Sequence, residues 1–394
     1  MTALNSAIRA TRIQFFLLGL LSGVWGAHIP SVKQHYGLNE GWLSLVLLSV
    51  ASGAVLSLMF AGRAVRQVGP ARLAWYSTVL FATLFSLLLW WPTIHALWIP
   101  AMFIGASMSM LDVAINTEGS ALEHVSRRKL MSGLHGFFSL GAMAGAAMAA
   151  ALILIDVSAR WQLVGFAAAV LVVSKWSAPY LTVAQGHQSD PHSTPDETPH
   201  FVWPHGLLLV LALLLFAGMG AEGVMYDWSV LYLKQELGLP QDVAALGYAV
   251  FAAAMAAARF GGDWVRARYN EALILQVGAV LTAVSMALVL WLAIPWVAFI
   301  GFALVGVGIA QVAPILYNAA SRVPGQSPAA AIAAVTSIGY GGFLFWPPVV
   351  GSLAQHFSLV AALMVVSASA TVLALGAQWV GPRLPQTSNQ ASEA

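Results

Sequence analysis

Residues 33–38 read Lys-Gln-His-Tyr-Gly-Leu, and residues 234–239 read Lys-Gln-Glu-Leu-Gly-Leu, 201 positions later. Each stretch is followed by an apolar run and then by a second related pair. Residues 62–66 read Gly-Arg-Ala-Val-Arg, and residues 262–266 read Gly-Asp-Trp-Val-Arg. The same order at nearly the same spacing indicates an internal duplication. We infer two similar halves, and a duplicated bundle of helices can move as two blocks about a central site.

The composition is that of an integral membrane protein. Hydrophobic residues make up 59% of the chain and charged residues only 8%, whereas soluble domains contain about 25% charged residues. Cysteine is absent, which excludes disulfides and cysteine-ligated metal sites. Arg9 and Arg12 lead directly into an apolar run without a small-residue cleavage site, so we expect no cleaved signal peptide.

A helix that crosses a membrane needs about 20 predominantly apolar residues. Twelve segments meet this requirement: 13–31, 42–62, 72–91, 97–118, 131–154, 160–181, 206–232, 243–263, 271–292, 295–318, 329–350 and 357–380. We therefore predict an all-α polytopic membrane protein with twelve transmembrane helices in two six-helix, pseudo-symmetric halves.

The predicted helices divide the chain into four parts. Residues 1–182 and 205–382 are the two six-helix halves. Residues 183–204 between them are polar and contain proline, a composition typical of a flexible linker. We predict that residues 383–394 form a disordered tail.

Lysine and arginine are distributed unevenly between the two sides of the predicted helices. One side holds only Lys33, Arg160 and Lys234, leaving 14 of the 17 on the other. Because cytoplasmic loops carry the excess of positive charge, we predict that both termini and the linker face the cytoplasm.

The arrangement of six spans, a polar linker and six spans, with both termini inside, resembles the major facilitator superfamily over essentially the whole chain. That superfamily carries a loop signature of glycines, an acidic residue and basic residues between its second and third helices. Residues 62–72 contain the glycines and the basic residues, but Arg66 stands where the acid is usual. The second half carries Arg259, Asp263, Arg266 and Arg268 in the corresponding region.

Three motifs narrow the resemblance. Residues 111–119, residues 132–139 and the Tyr-Asp-Trp-Ser stretch at 226–229 are similar to bacterial inner-membrane permeases of the fucose-permease branch. The resemblance implies a secondary transporter in the bacterial inner membrane. Such a protein moves a small polar solute, a sugar or a related metabolite, by alternating access with proton coupling.

Asp112 is the first candidate for a functional side chain. An ionisable residue at the centre of a membrane helix costs about 2.5–3.5 kcal/mol, so it needs a partner or a wet cavity. Ser109 and Asn116 lie on the same helical face as Asp112. Asp112 could exchange a proton or contact substrate hydroxyls, or the three residues could form an interhelical hydrogen-bond cluster.

Glu222 is the second candidate, with Tyr226 and Ser229 on its helical face. A carboxylate in a low-dielectric site binds a proton more readily than one in water, which suits proton coupling. The alternative is a structural pair with a neighbouring residue. Asp227 lies about 140° further round the helix by the 3.6-residue repeat, and we expect it to serve the mouth of the site or a loop contact.

His135 and several further residues complete the candidate site. His135 could relay protons with Asp112, or could be a packed histidine. Trp25, His28, Gln311 and Asn318 are further candidates for substrate binding, together with Asp112, Asn116, Glu222 and Tyr226. For a conformational latch we expect an ion pair between Arg259 and Asp263, at i and i+4, with Arg66 and Arg266 contributing.

Several functional classes lack their motifs. The sequence contains no P-loop and no zinc-protease motif, and we see no nucleophile–base constellation, so we expect neither an enzyme nor a bound cofactor. The expected partners are a small solute, protons and the lipid bilayer, with no nucleic acid, and the expected state is a monomer. Proton-antiport efflux of amphipathic compounds, and a non-transporting sensor or scaffold, remain alternatives.

The repeat also shows where the two halves differ. At the 201-residue offset Glu222 corresponds to Leu21, Asp227 to Gly26 and Asp112 to Ala313, and at an offset of 200 Arg259 corresponds to Met59. We predict that these unmatched charges mark the substrate and proton sites.

Overall fold

The chain is almost entirely helical in the computed structural model, which describes residues 2–181, 203–325 and 327–380. The predicted linker at 183–204 falls almost wholly outside the described residues, and the predicted tail at 383–394 falls entirely outside them. The helices of the described part are α1 Thr2–Tyr36, α2 Glu40–Val68, α3 Pro70–Ser86, α4 Ile94–Ser126, α5 Met131–Leu154, α6 Ala159–Ser177, α7 Leu207–Gln235, α8 Gln241–Arg266, α9 Glu271–Leu292, α10 Pro295–Ile309, α11 Val312–Ser321, α12 Pro328–His356 and α13 Leu359–Gly376. Short 3-10 turns follow α6 and α13.

Twelve of these segments are suited to crossing a membrane. Among the described residues eleven are long and apolar enough, with α10 and α11 counted together as one span over Pro295–Ser321. The twelfth is α3, whose 17 residues correspond to about 26 Å of helix, close to the thickness of a hydrocarbon core. The predicted number of spans is therefore confirmed.

The ends of several helices differ from the predicted segments. α1 begins at Thr2 rather than at residue 13. Its first turns precede the predicted apolar segment and are stabilised by packing, with Ala7 and Ile8 against Leu122. α3 ends at Ser86 rather than at residue 91, and residues 87–93 form turns and bends before α4 begins.

The tenth span is broken rather than continuous. α10 ends at Ile309 and α11 begins at Val312. Pro314 lies in the first turn of α11, and proline can neither donate a backbone hydrogen bond nor tolerate the carbonyl four residues earlier in a straight helix. The proline therefore accounts for the break.

The two halves repeat the same packing. α1 packs on α5 as α7 packs on α12, and α3 packs on α4 as α9 packs on α10. The contacts between halves also form a symmetric set, α5 with α8 and α2 with α12, and α1 additionally touches α7 and α8. The fold is thus an all-α bundle of two pseudo-symmetric six-span halves, as predicted.

The connections collect at two ends, which we name by their charge. The end that holds the α2–α3, α4–α5, α8–α9 and α11–α12 connections is called the basic end. The end that holds the α1–α2, α5–α6 and α7–α8 connections, with Lys33, Arg160 and Lys234, is called the opposite end. Of the 14 basic residues predicted on one side, Arg259 does not lie in a loop but is buried inside α8, at 8% exposure, and Arg383 lies outside the described residues.

Glycines bring α1 and α5 into backbone contact. A Cβ atom added at Gly19 would lie 1.9 Å from the Phe138 carbonyl oxygen, and one at Gly141 would lie 2.0 Å from the Phe16 carbonyl oxygen. Gly23 and Gly145 are equally close to the facing helix. Small residues of this kind let membrane helices approach closely, so α1 and α5 form a rigid unit within the first half.

We expect Gly141→Ala to lower the midpoint of thermal unfolding of the purified protein. Its new methyl group would meet a backbone oxygen, and such overpacking costs about 1–3 kcal/mol. Gly133→Ala on the same helix is the matched control, because nothing lies within 4 Å of its added Cβ. It should leave the midpoint unchanged or raise it, and an equal loss in both variants would contradict the packing argument.

Candidate functional site

Glu222 lies near the middle of α7 and accepts two hydrogen bonds. Its Oε1 accepts from the Nη2 of Arg259 at 2.9 Å and from the hydroxyl of Tyr226 at 2.8 Å. The Arg259 and Glu222 side chains are 9% and 16% exposed. Burial removes most of the hydration of a carboxylate and a guanidinium, and pairing offsets that loss. Glu222 and Arg259 are paired in this way.

Arg259 also reaches the other half. Its Nη1 donates to the Ser139 Oγ on α5 at 2.7 Å, and its own carbonyl oxygen accepts from the Ser132 Oγ at 2.7 Å. We call Glu222, Tyr226, Arg259 and Ser139 the arginine bridge. It joins α7 and α8 of the second half to α5 of the first half.

The expected ion pair between Arg259 and Asp263 is wrong. Asp263 pairs with Arg266 at the basic end, where the Asp263 side chain is 38% exposed. Arg259 is turned into the bundle, and Glu222 is the carboxylate that it meets there. The i, i+4 spacing permits the predicted pair, but the burial of Arg259 favours an acceptor inside the bundle.

Asp112 lies in a different environment on α4. The Asn116 Nδ2 donates to both the backbone oxygen and the Oδ1 of Asp112, each at 2.9 Å, and the hydroxyl of Tyr340 on α12 interacts with the same carboxylate. These partners are neutral, unlike the arginine that pairs with Glu222. The Asp112 carboxylate therefore faces the second half through a phenol.

Two tyrosines of the second half complete this region. Tyr340 is within electrostatic reach of Asp112, Tyr317 and Glu222, and Tyr317 interacts with Thr336. Asp112, Glu222, Tyr317 and Tyr340 are thus electrostatic neighbours contributed by both halves, and we call these four residues the central site. It offers carboxylate acceptors beside hydroxyl groups that both donate and accept.

Asp227 contributes a further carboxylate between the halves. The Trp25 indole of α1 hydrogen-bonds Asp227 of α7. A cavity of about 10 Å³ lies between Asp227 and Trp346, enough for about one water molecule. Asp227 therefore faces the other half rather than a loop, which excludes the loop contact and leaves the predicted place at the mouth of the site as a prediction.

His135 is near the arginine bridge. Its ring packs edge-on against Phe15 at 5.3 Å between centroids, and its backbone oxygen accepts from the Ser139 Oγ at 3.3 Å. Arg259 is its charged neighbour. The structure therefore places His135 beside the arginine bridge, whereas the sequence paired it with Asp112.

Three of the predicted substrate-binding residues bond to groups that are not part of the central site. His28 is at the opposite end, where its Nε2 bonds the Gln162 Oε1 at 2.9 Å. Gln311 is in the break of the tenth span and donates to the Ala258 carbonyl oxygen at 2.9 Å. Asn318 is exposed at the basic end and donates to Glu271 at 2.7 Å. His28 and Asn318 satisfy local hydrogen-bonding needs, whereas the buried Gln311 Oε1 has no partner among the described residues. A polar residue in an apolar span therefore does not by itself mark the site.

The residues that the sequence predicted for the latch are divided. Arg66 is exposed at the basic end, and Arg266 pairs with Asp263. Sequence reasoning missed Ser139, Tyr317, Thr336 and Tyr340. Tyr340 stands between Gly339 and Gly341, and a large polar residue between packing glycines is a signal that could have identified it.

No group of three or more His, Cys, Asp or Glu side chains that could hold a metal ion occurs in the part of the chain that the structure describes.

Comparisons with known proteins agree with this architecture. The sequence profile of the Major Facilitator Superfamily matches residues 13–347. An uncharacterized MFS-type transporter of Yersinia pestis is 32% identical over 368 residues, covering 92% of this chain and 94% of that protein. The resemblance inferred from the motifs is thus confirmed at the level of the superfamily.

Two solved structures have the same fold at low sequence identity. A mutant of the nucleoside transporter NupG has a TM-score of 0.73 and 12% identity, with 94% of this chain and 99% of that chain covered. A variant of the E. coli fucose:proton symporter FucP has a TM-score of 0.63 and 16% identity, with 95% and 98% covered.

We expect Glu222→Gln to lower the midpoint of thermal unfolding, because it leaves the Arg259 charge without a counter-ion. Loss of a buried charged partner of this kind costs about 1–3 kcal/mol. Asp263→Asn is the matched control, since exposed ion pairs contribute under about 1 kcal/mol. A loss in Asp263→Asn as large as that in Glu222→Gln would contradict the role of the arginine bridge.

Proposed function

The chain belongs to the Major Facilitator Superfamily, and from this premise we propose that it carries a small polar solute across the bacterial inner membrane by alternating access. The observation that supports the proposal most is the central site, where polar groups of both halves face one another. Alternating access requires such a site at the boundary of two blocks. We further propose that the basic end faces the cytoplasm, since cytoplasmic loops carry excess lysine and arginine.

The central site supports a sugar or a related metabolite as the solute. Asp112 and Asn116 come from the first half, and Tyr317 and Tyr340 come from the second. Carboxylate, amide and phenol groups can bond several hydroxyls at once, and the number of such bonds gives specificity. The similar folds include a nucleoside transporter and a fucose:proton symporter, both of which are named for hydroxylated solutes.

Proton coupling is the proposed source of energy. A proton on Glu222 would weaken its pair with Arg259 within the second half and so disturb the guanidinium, whose bond to Ser139 crosses to the first half. Solute binding at Asp112 and protonation at Glu222 would in this way act on the same boundary. A change in charge at the boundary biases one arrangement of the halves over the other.

Proton-antiport efflux of an amphipathic compound is a second candidate. Aromatic rings surround the arginine bridge, with Phe138 at 6.5 Å and Phe251 at 5.6 Å from the Tyr226 ring. Such a lining would suit an apolar ring as well as a sugar face. The direction of proton movement separates the two candidates.

The test is solute uptake in proteoliposomes under an imposed proton gradient. Purified protein is first tested by thermal shift against sugars, polyols, nucleosides, organic acids and amphipathic drugs, and stabilising compounds are then assayed for transport. Symport predicts entry of solute and protons together, and antiport predicts opposite movements. A chain that binds solutes but never accumulates them under a gradient would instead be a sensor or scaffold.

We expect Asp112→Asn and Glu222→Gln to reduce gradient-driven accumulation at least about tenfold, because each removes a charged hydrogen-bonding partner worth more than about 1.4 kcal/mol. Arg66→Ala is the control, and its exposed side chain should leave accumulation within about twofold. Solute counterflow, which needs no net proton movement, should survive in a variant that loses coupling alone. Equal accumulation by all three variants would remove both carboxylates from the mechanism.

We expect Tyr340→Phe to weaken solute binding about tenfold, since it removes one hydroxyl from the central site and leaves the Asp112 carboxylate without that donor. Tyr76→Phe is the matched control, because Tyr76 is 60% exposed on the periphery of the bundle. Binding is measured by titration of the purified variants with the identified solute. Unchanged affinity in Tyr340→Phe would exclude Tyr340 from solute recognition.

A further inference from the structure

The opposite end contains two equivalent lysine pairs, one in each half. The Lys33 Nζ, in the last turn of α1, donates to the Glu40 Oε1 in the first turn of α2 at 2.6 Å. The Lys234 Nζ, in the last turn of α7, donates to the Gln241 Oε1 in the first turn of α8 at 2.9 Å. In each pair the two residues are seven positions apart. The two pairs are related by the 201-residue offset of the sequence repeat. The acceptor is a carboxylate in the first half and an amide in the second.

The amide of Gln241 makes contacts that the carboxylate of Glu40 cannot make. The Gln241 Nε2 donates across the halves to the Ala27 carbonyl oxygen at 3.0 Å and to the Ser31 Oγ at 2.7 Å. A primary amide both accepts and donates, whereas an ionised carboxylate only accepts. Gln241 can therefore hold Lys234 and α1 at the same time.

Within the first half, each hydrogen bond of this group has a fixed donor and a fixed acceptor. The Gln162 Nε2 donates to the Val157 carbonyl oxygen at 2.7 Å, so the Gln162 Oε1 faces the His28 Nε2 at 2.9 Å. That nitrogen must carry the proton, which leaves the His28 Nδ1 to accept from the Ser31 hydroxyl at 3.1 Å. The tautomer of His28 thus fixes the direction in which the Ser31 hydroxyl donates. The Ser31 Oγ can then accept a hydrogen bond from Gln241 of the other half.

Water can reach these bonds from the opposite end. An open cleft of about 240 Å³ is lined by polar residues and by three apolar ones: His28, Ser31, Asp156, Ser158 and Gln241, with Ile153, Val157 and Ala159. Water in such a cleft can replace the bonds of Gln241 when the halves separate, so breaking them leaves no buried group unpaired. The contact is therefore suited to being made and broken repeatedly.

We propose that Gln241 is a latch that holds the opposite end closed, and that its amide is required because it binds Lys234 and α1 together. Other contacts between the halves are Tyr248 against Gly26, with the Tyr248 hydroxyl donating to the Ser22 carbonyl oxygen at 3.4 Å, and Gly351 against Ser44. The latch concerns the conformation of the protein and holds whether or not the proposed solute transport is found.

The experiment measures the distance between the halves at the opposite end. The chain contains no cysteine, so Gln34→Cys and Gln235→Cys can carry two spin labels without background. Both positions are exposed and equivalent in the repeat. Pulsed electron resonance is recorded on full-length protein in lipid nanodiscs at pH 8, without added solute, where a carboxylate at position 241 is ionised.

Gln241→Glu keeps an acceptor for Lys234 but removes the donor to α1. We expect the ratio of the long-distance population to the short-distance population to rise at least about tenfold, which corresponds to the loss of two hydrogen bonds. Glu40→Gln is the matched control, since it makes the reverse change in the pair that does not cross the halves. It should leave the distances as they are in the parent.

Two results would overturn the latch. One is a Gln241→Glu distance distribution identical to the parent, and the other is an equal shift in Glu40→Gln. If Gln241→Glu is not recovered as a monodisperse protein, Gln241→Ala and Ser31→Ala decide the matter, because each removes bonds between the halves without adding charge. Unchanged distances in both would equally overturn the proposal.

Discussion

The buried guanidinium of Arg259 is the group on which the arrangement of the central helices depends. It is 8% exposed, and a charge in so dry a place is costly unless its donors are paired. Glu222 supplies the counter-charge from the same half, and Ser139 supplies an acceptor from the other half. Because the acceptors come from both halves, satisfying this one side chain fixes α5, α7 and α8 relative to one another.

The duplication explains the scaffold, and the departures from it explain the site. The residue equivalent to Arg259 in the first half is Met59, which is 74% exposed on the periphery of the bundle. The residue equivalent to Glu222 is Leu21, which is buried in the apolar core at 1% exposure. The same backbone frame thus carries packing in one half and charge in the other. Symmetric helix contacts and asymmetric chemistry are compatible because packing uses the glycines and small residues.

At the opposite end, the hydrogen bonds of Gln241 that cross between the halves are made to uncharged groups. Glu40 and Gln241 occupy equivalent positions in the two halves. Gln241 has an amide nitrogen where Glu40 has a second carboxylate oxygen, and this nitrogen donates across the boundary of the halves. Charged contacts inside the bundle and neutral contacts at its end are broken by different changes. The first respond to a change of charge, and the second can exchange with water in the adjoining cleft.

Hydropathy and repetition are local properties of the chain, so the amino-acid order alone indicates the membrane class, the twelve spans and the two similar halves. It also selected Asp112, Glu222 and Arg259 as unmatched charges, which the structure brings to the boundary of the halves. Only the tertiary structure decided their partners, such as Glu222 rather than Asp263 for Arg259. It likewise placed His28 at the opposite end and Asn318 at the basic end, gave Gln311 a backbone partner on α8, and brought in Tyr317 and Tyr340. A side chain's partner depends on which neighbouring helix faces it, and helical spacing along one segment contains no information about that neighbour.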